Sequence, residues 1–150
     1  MLEIHEQFRS HIQSHCERTG FYMPELLEDY IVGLLASRLR ETELIPHPSF
    51  GERYMILQQV NRAHLFQEYA DQCLFFVSLL PEYGRRRGLD INYWANLGIS
   101  SYYAVADRIE DDRFIQLGNW FYTLQKFLNS AIKPQTRLDL FEQYGLDKYY

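Results

Sequence analysis

Cysteine and long hydrophobic runs are scarce in this sequence, and each scarcity excludes a class of protein. The two cysteines, Cys16 and Cys73, lie far apart and form no CxxC pair, which excludes a disulfide framework. The longest apolar run, at residues 74–80, is too short for a membrane span, and the N-terminal residues lack the apolar stretch of a signal peptide. We therefore expect a soluble, cytoplasmic protein that does not bind a membrane.

An excess of positive charge is also missing, since 15 basic residues stand against 20 acidic ones and the net charge is −5. Most nucleic-acid-binding proteins carry a basic excess, because contacts with phosphates supply much of their affinity. Nucleic acid is therefore the least favoured partner. Aromatic residues are abundant, at 16% of the chain, which favours a packed core and indicates aromatic side chains at a partner surface or in a pocket.

Helical periodicity extends through the chain, and strand-like alternation is absent. In the first segment Ile4, Phe8, Ile12 and Cys16 recur at four-residue spacing and form one apolar stripe. The pattern predicts an all-α protein of one domain, residues 1–150, folded as a single compact bundle of about six helices in antiparallel or orthogonal packing. We place the first helix before Gly20 and the others at residues 24–41, 53–80, 93–109, 112–132 and 136–144. Residues 53–80 form either one long helix or two with a bend, and the segment 65–80 lies at the centre of the fold.

Glycine, proline and aspartate mark the ends of these helices. The proline-containing residues 42–52 form the clearest non-helical connection. Gly33 and Gly98 lie inside helices, where glycine permits a close helix contact at a propensity cost of about 1 kcal/mol. We expect a frayed tail after Gly145. The predicted stops are Gly20, Pro81, Gly84 and Gly145, and the predicted N-caps are Asp90 or Asn92, and Asp111.

No catalytic constellation is present. The sequence lacks a Gly-x-Ser-x-Gly elbow, the glycine-rich phosphate motifs and any Glu-x-x-His pair. His11 and His15 share one helix face, but the zincin glutamate does not follow His11. We therefore predict no metal, no cofactor and no catalytic residue. The alternative is a small-ligand protein or enzyme whose interhelical pocket contains tyrosine, tryptophan and histidine, with His15, His64 and Tyr102 as its candidate residues.

The densest cluster of one charge is the three arginines Arg85, Arg86 and Arg87. If the helices at 93–109 and 112–132 are antiparallel, these arginines lie near Lys126, Lys133 and Arg137. The acidic residues 107–113 then lie at the far end, about 25 Å away at 1.5 Å per helical residue. Two readings stay open for the arginines: a basic docking surface, or cations that offset a helix dipole. For the acidic residues we expect a structural role at a helix start rather than a cation site.

These features favour a non-enzymatic interaction or regulatory module that binds another protein through an aromatic and basic surface, with a homodimer as one further arrangement. Residues 69–103 resemble a stretch found in small, uncharacterised helical proteins of proteobacteria. The resemblance is carried by Asp71, Leu74, residues 79–81, the arginines, Tyr93, Gly98 and Tyr102. It implies an all-α bacterial protein and transfers no site. Within this stretch, Asp71 can pair with an arginine of residues 85–87 only if the chain folds back by one or more turns along the helix that contains Asp71.

Overall fold

The computed structural model describes residues 3–40, 55–56 and 62–149. Over these ranges the chain contains helices and no strand, which confirms the predicted all-α class. The described helices are Ile4–Thr19 (α1), Glu25–Arg38 (α2), Ala63–Leu79 (α3), Pro81–Arg86 (α4), Ile91–Arg108 (α5), Asp112–Asn119 (α6), Phe121–Ala131 (α7) and Pro134–Gln143 (α8), followed by a 3-10 turn at Asp147–Tyr149.

Eight α-helices occur in the described ranges, where about six were predicted, and two local features explain the difference. Pro81 was predicted to end a helix but starts the short helix α4, since proline lacks only an N–H that the first turn leaves unbonded. Gly84 lies buried inside α4 instead of stopping it. The predicted helix at 112–132 is divided at Trp120, just after Gly118, a residue of low helix propensity.

Three predicted helix boundaries are confirmed by their hydrogen bonds. Gly20 ends α1 in the left-handed conformation, with φ of 73°, and its N–H donates to the carbonyl of Cys16. Asp90 caps α5 by accepting hydrogen bonds from the backbone N–H groups of Asn92 and Tyr93. Asp111 caps α6 in the same way.

Helix α3 lies at the centre of the hydrophobic core, as predicted. Every residue from Gln72 to Leu80 is buried, so α3 has no solvent-facing side over this stretch. It packs most extensively on α5, and also on α2 and α7. The core also takes one apolar stripe from each flanking helix; its largest fully buried side chains include Phe8, Ile12, Phe66, Phe75, Phe76, Tyr102, Phe114, Phe121 and Phe141.

The two interior glycines of the prediction behave differently. A Cβ added at Gly98 would lie 2.7 Å from the ring of Phe121 and 2.9 Å from Cβ of Cys73, so the expected close contact is confirmed there. At Gly33 no described atom lies within 4 Å of such a Cβ, and the expected helix crossing is not found. Glycine at position 33 therefore has no packing reason among the described residues.

The C-terminal residues differ from the predicted frayed tail. Leu146 is buried, and the ring of Tyr149 packs edge-on against Tyr83 with ring centres 5.5 Å apart. The predicted connection at residues 42–52 lies outside the described residues. None of the helices in the described ranges is long and apolar enough to cross a lipid bilayer.

Candidate functional site: a basic groove beside helix α4

A groove of about 210 Å³ opens where the end of α3, helix α4, the start of α8 and the C-terminal turn meet. Its floor is apolar and aromatic, and its rim carries charge. The groove, called the basic groove below, is lined by Leu79, Leu80, Glu82, Tyr83, Arg86, Pro134 and Tyr149.

Side chains from α7 and α8 hold the end of α3 in place beneath this groove. The last carbonyls of a helix have no partner within the helix and need one from elsewhere. Asn129 donates a hydrogen bond of 3.0 Å to the carbonyl of Ser78. Arg137 donates from Nη1 to the carbonyl of Leu79, at 3.3 Å, and forms an ion pair with Glu82 at 3.4 Å.

Arg137 therefore lies buried behind the groove, and it is neither a lining residue nor one of the exposed cations around it. Its side chain is buried, with 2% of the residue exposed, because its guanidinium reaches inward to the end of α3. Its partner Glu82 remains exposed. Since Arg137 neutralises Glu82, the groove lacks an uncompensated negative charge on its described lining residues.

Exposed cations surround the basic groove. Arg85, Arg86 and Arg87 are all exposed, and the guanidinium of Arg87 stacks over the ring of Tyr83 at 4.6 Å. Lys133 precedes the lining residue Pro134 and is also exposed. At the other edge the ammonium of Lys148 lies 5.0 Å from the ring centre of Tyr149. The electrostatic field at the groove mouth therefore favours an anionic partner.

The position of Lys126 follows from two hydrogen bonds between α5 and the α6–α7 segment. The hydroxyl of Tyr103 donates to Asn119, and that of Tyr122 donates to Asn96. Since the partner numbers fall as those of α5 rise, the two segments run antiparallel, which is the arrangement assumed in placing the arginines near Lys126. Lys126 is exposed one turn beyond Tyr122, at the end where α5 starts and the arginines lie.

Of the acidic residues at the other end of α5, Asp111 has the structural role at a helix start that was expected. Asp111 accepts hydrogen bonds from the backbone N–H and the guanidinium of Arg113, and the ion pair measures 2.7 Å. These hydrogen bonds with Arg113 hold the pKa of Asp111 below its usual value. Asp107, Glu110 and Asp112 are exposed around it.

A second polar cluster lies between α2, α3 and α5. Oδ1 of Asp71 accepts a hydrogen bond of 2.7 Å from the hydroxyl of Tyr30 and another of 2.7 Å from the hydroxyl of Tyr102. Gln67 donates a third bond, of 3.1 Å, to the oxygen of Tyr30. Asp71 is thus paired with tyrosines of two neighbouring helices, and not with an arginine of residues 85–87.

Burial controls the protonation of this Tyr30–Asp71–Tyr102 cluster. Desolvation raises the pKa of Asp71 from 3.8 to about 6, against the opposing effect of the two tyrosine hydrogen bonds and of Arg38. Desolvation and the neighbouring carboxylate also raise the pKa of both tyrosines well above 10. The tyrosines therefore stay neutral donors, while Asp71 titrates close to neutral pH.

A shallow groove of about 280 Å³ reaches this cluster between α2 and α3. Of the residues predicted for a pocket, only Tyr102 belongs to the cluster. His15 packs edge-on against Phe127, and burial, with the charges of Arg18 and Lys133, lowers its pKa. His64 is exposed at the start of α3, about 10 Å along the helix from Asp71 at 1.5 Å per residue. The groove lining comprises Asp29, Tyr30, Gly33, Leu34, Ser37, Gln67 and Asp71.

No group of three or more His, Cys, Asp or Glu side chains arranged to hold a metal ion is found among residues 3–40, 55–56 and 62–149. Cys73 is fully buried, and desolvation raises the pKa of its thiol well above the usual value. The buried thiol is therefore protonated and a poor nucleophile.

Sequence reasoning did not find most of the groove residues. Tyr83, Pro134 and Tyr149 come from three separate segments, and only the fold brings them together. Tyr30 was also missed, because an isolated tyrosine on a predicted helix gives no sign of its hydrogen-bond partner. The one available signal was Asp71, one of two acidic residues in the segment 65–80 that was predicted to be central.

Together, the helices and the groove define an all-helical protein with an aromatic, positively rimmed concavity. Comparisons of the chain with protein-family models, with curated proteins and with solved structures found no match. Arguments for a function therefore start from the geometry and charge of the groove.

Proposed function

We propose that the protein is an interaction module that binds an acidic segment of another protein in the basic groove. The observation that supports this proposal is the apolar floor within a ring of exposed cations. The volume of about 210 Å³ is below the roughly 300–1,000 Å³ of pockets that take drug-sized molecules. It suits a single apolar anchor side chain, with acidic neighbours on the partner facing the arginines.

Aromatic side chains held in fixed positions strengthen this proposal. Tyr83 is packed between Tyr149 and the guanidinium of Arg87, so its ring is ordered before a partner arrives. Tyrosine in such a setting gives a large contact area at small entropic cost, and preorganisation raises affinity. The bacterial family that residues 69–103 resemble adds no partner to this proposal.

The test uses two matched sets of peptides, each with one leucine or phenylalanine, flanked by Asp and Glu in one set and by Lys in the other. Binding is followed by two-dimensional NMR of the labelled protein. We expect the acidic set to shift the amide signals of Tyr83, Arg86 and Tyr149 and the basic set to leave them unchanged. Equal shifts with both sets, or shifts elsewhere only, would overturn the proposal.

Charge reversal provides the second arm. The variant with Arg85, Arg86 and Arg87 changed to Glu should lose binding of the acidic peptides. Arg40→Glu, an exposed arginine that follows α2, is the matched control and should retain it. A short DNA duplex tests the weaker nucleic-acid alternative: a mobility shift at about 50 mM salt that disappears near 200 mM would favour phosphate contacts over a protein partner.

A second function is favoured by the carboxylate of Asp71 at the groove between α2 and α3. This groove offers the largely buried carboxylate of Asp71, a tyrosine ring and the space above Gly33, where no described atom lies within 4 Å of an added Cβ, and this combination suits a small organic cation. A thermal-shift series with small amines and guanidines tests it. Stabilisation of the protein that is lost in Asp71→Asn would support this function, and an unchanged melting temperature with every compound would remove it.

A further inference from the structure

An uncharged face covers one side of the molecule along α5 and the α6–α7 segment. No charged residue occurs from Ile91 to Ala106 or from Phe114 to Gln125, although 23% of the chain is charged. Both stretches nevertheless present exposed side chains. We call the following residues the uncharged face: Tyr93, Asn96, Tyr103, Ile115, Asn119 and Tyr122.

Large apolar surfaces are exposed on this face. Tyr93, Ile115 and Tyr122 are 47%, 47% and 43% exposed, and Tyr103 is 38% exposed. The hydrogen bonds from Tyr103 to Asn119 and from Tyr122 to Asn96 join the two helical segments into one continuous surface. Depletion of charge combined with enrichment in tyrosine is the composition of a protein interface core.

The tyrosine rings of this face are held in place before any partner binds. A Cβ at Gly118 would lie 2.6 Å from the ring of Tyr103, so this ring rests directly on the glycine while Asn119 holds its hydroxyl. Tyr122 is held by Asn96 in the same manner. Rings fixed at both the face and the hydroxyl lose little entropy on association.

Charges of opposite sign lie at the two ends of the uncharged face. Lys126 and the arginines lie at the end where α5 starts. At the end where α5 stops, Asp107, Glu110, Asp111 and Asp112 outnumber Arg108 and Arg113, so this end carries a net negative charge. The uncharged part of α5 is about 24 Å long at 1.5 Å per residue, well above the screening length of about 8 Å in physiological salt. The two ends therefore act as separate charged sites. The basic end attracts negative charge on a partner, and the acidic end attracts positive charge.

We propose that this face binds a second copy of the chain, with the two α5 helices antiparallel. A two-fold axis that lies in the interface and runs across α5 turns one copy end over end. The basic end of each copy then meets the acidic end of the other. The same surface is therefore used by both copies and is complementary to itself, as a two-fold interface requires. In this arrangement Lys126 of one copy faces Asp112 of the other.

A single charge in the middle of the face tests the proposal. Ser100 is exposed on α5 between Asn96 and Tyr103. Sedimentation velocity at up to about 100 µM should show a dimer for the natural chain and at least about a tenfold weaker association for Ser100→Glu, because two like charges would meet near the axis. Ser14→Glu, the same change at an exposed position of α1, should associate as the natural chain does.

Charge exchange at the ends decides the orientation. Lys126→Glu and Asp112→Lys should each weaken self-association, since each variant places like charges opposite one another twice. An equimolar mixture of the two should form a mixed dimer, because both pairs are then of opposite sign. Native mass spectrometry distinguishes the mixed dimer once one variant is isotope-labelled.

Three outcomes would overturn the proposal: a natural chain that stays monomeric at about 100 µM, a dimer unaffected by Ser100→Glu, or variants that do not pair preferentially when mixed. Mixing also separates lost association from lost folding, because an unfolded variant cannot be rescued by its partner. None of the three substituted positions lines the basic groove, so this proposal and the proposed function fail independently.

Discussion

Tyr102 donates its buried hydroxyl to Oδ1 of Asp71, the same oxygen that accepts the hydroxyl of Tyr30. One carboxylate oxygen thereby links α3 to two other helices. This arrangement places the ionisable carboxyl group of Asp71 between helices that otherwise contact each other through apolar side chains. Since burial of a charge is costly unless its partners compensate, the protonation of Asp71 affects the stability of this region.

The first prediction concerns pH. The pKa of Asp71 is about 6 in the folded protein and 3.8 in its ordinary state, so the folded form holds this proton more tightly. The contribution of Asp71 to the free energy of unfolding is therefore fully present below about pH 4 and is lost as the pH rises through about 6. Asp71→Asn removes this titration but keeps an oxygen that accepts both tyrosine bonds.

We therefore expect the stability of Asp71→Asn relative to the natural chain to increase between pH 4 and pH 7. Urea unfolding at several pH values measures the difference. Other groups, including Asp111 with its lowered pKa, contribute to both curves and cancel. Arg38 and Glu68 act on Asp71 with opposite signs and are unchanged by the substitution. A difference that is constant with pH would contradict the prediction.

Tyr102→Phe should destabilise the protein by about 1–3 kcal/mol at pH 7.5, because it removes a hydrogen bond to a buried carboxylate. The loss should be smaller at pH 5, where Asp71 is protonated more of the time. Tyr122→Phe is the control: its hydroxyl also donates to a side chain, but at an exposed site, and its loss should cost less than about 0.5 kcal/mol. Equal losses of stability in Tyr102→Phe and Tyr122→Phe would contradict the prediction that the buried hydrogen bond of Tyr102 contributes more to stability.

Alanine at the two interior glycines should have opposite effects. Gly98→Ala places a methyl group 2.7 Å from Phe121 and should cost about 1–3 kcal/mol through overpacking. Gly33→Ala meets no described atom within 4 Å and should stabilise the protein by about 0.5–1 kcal/mol through helix propensity. Thermal and urea unfolding of both variants provide the check. If Gly33→Ala is destabilising instead, position 33 has a neighbour or a function that requires glycine.

Arg137→Ala should destabilise the protein by about 2–4 kcal/mol, because it removes both the buried stem and the partner of the Leu79 carbonyl. Arg137→Met keeps most of the aliphatic stem and removes a costly buried charge. It should therefore destabilise the protein by less than half as much as Arg137→Ala does. The comparison by urea unfolding separates packing from charge. Equal losses would indicate that the guanidinium bonds alone hold α8 against α3.

The helices of this protein were largely predictable from sequence, because apolar spacing and capping residues act locally. Asp90 and Asp111 cap helices whose starts they predict, and Gly20 ends α1 as expected. The predicted helix boundaries were wrong where a single residue lies between two helices. Pro81 follows one helix and starts the next, and Trp120 separates α6 from α7 without any proline or glycine at the position itself.

The candidate site was less predictable than the helices, for a different physical reason. The arginines, Lys126 and Lys133 were identified from charge, and their arrangement around one end follows from the antiparallel pairing that was assumed. Burial of Arg137 could not be read from sequence, since it depends on the carbonyl of Leu79, 58 residues away. The partners of Asp71 were not found for the same reason, because Tyr30 and Tyr102 are distant in the chain.

The caps at the end of α3 also determine when the basic groove can exist during synthesis. The carbonyls of Ser78 and Leu79 receive their side-chain partners from residues 51 and 58 positions later. A ribosome delivers these residues several seconds after α3, at roughly 5–20 residues per second. Until then the nascent chain displays its three arginines without the concavity beside them. Under the proposed function, partner binding in the groove would therefore require a chain that extends through α8, and a truncated chain that lacks α8 should not bind.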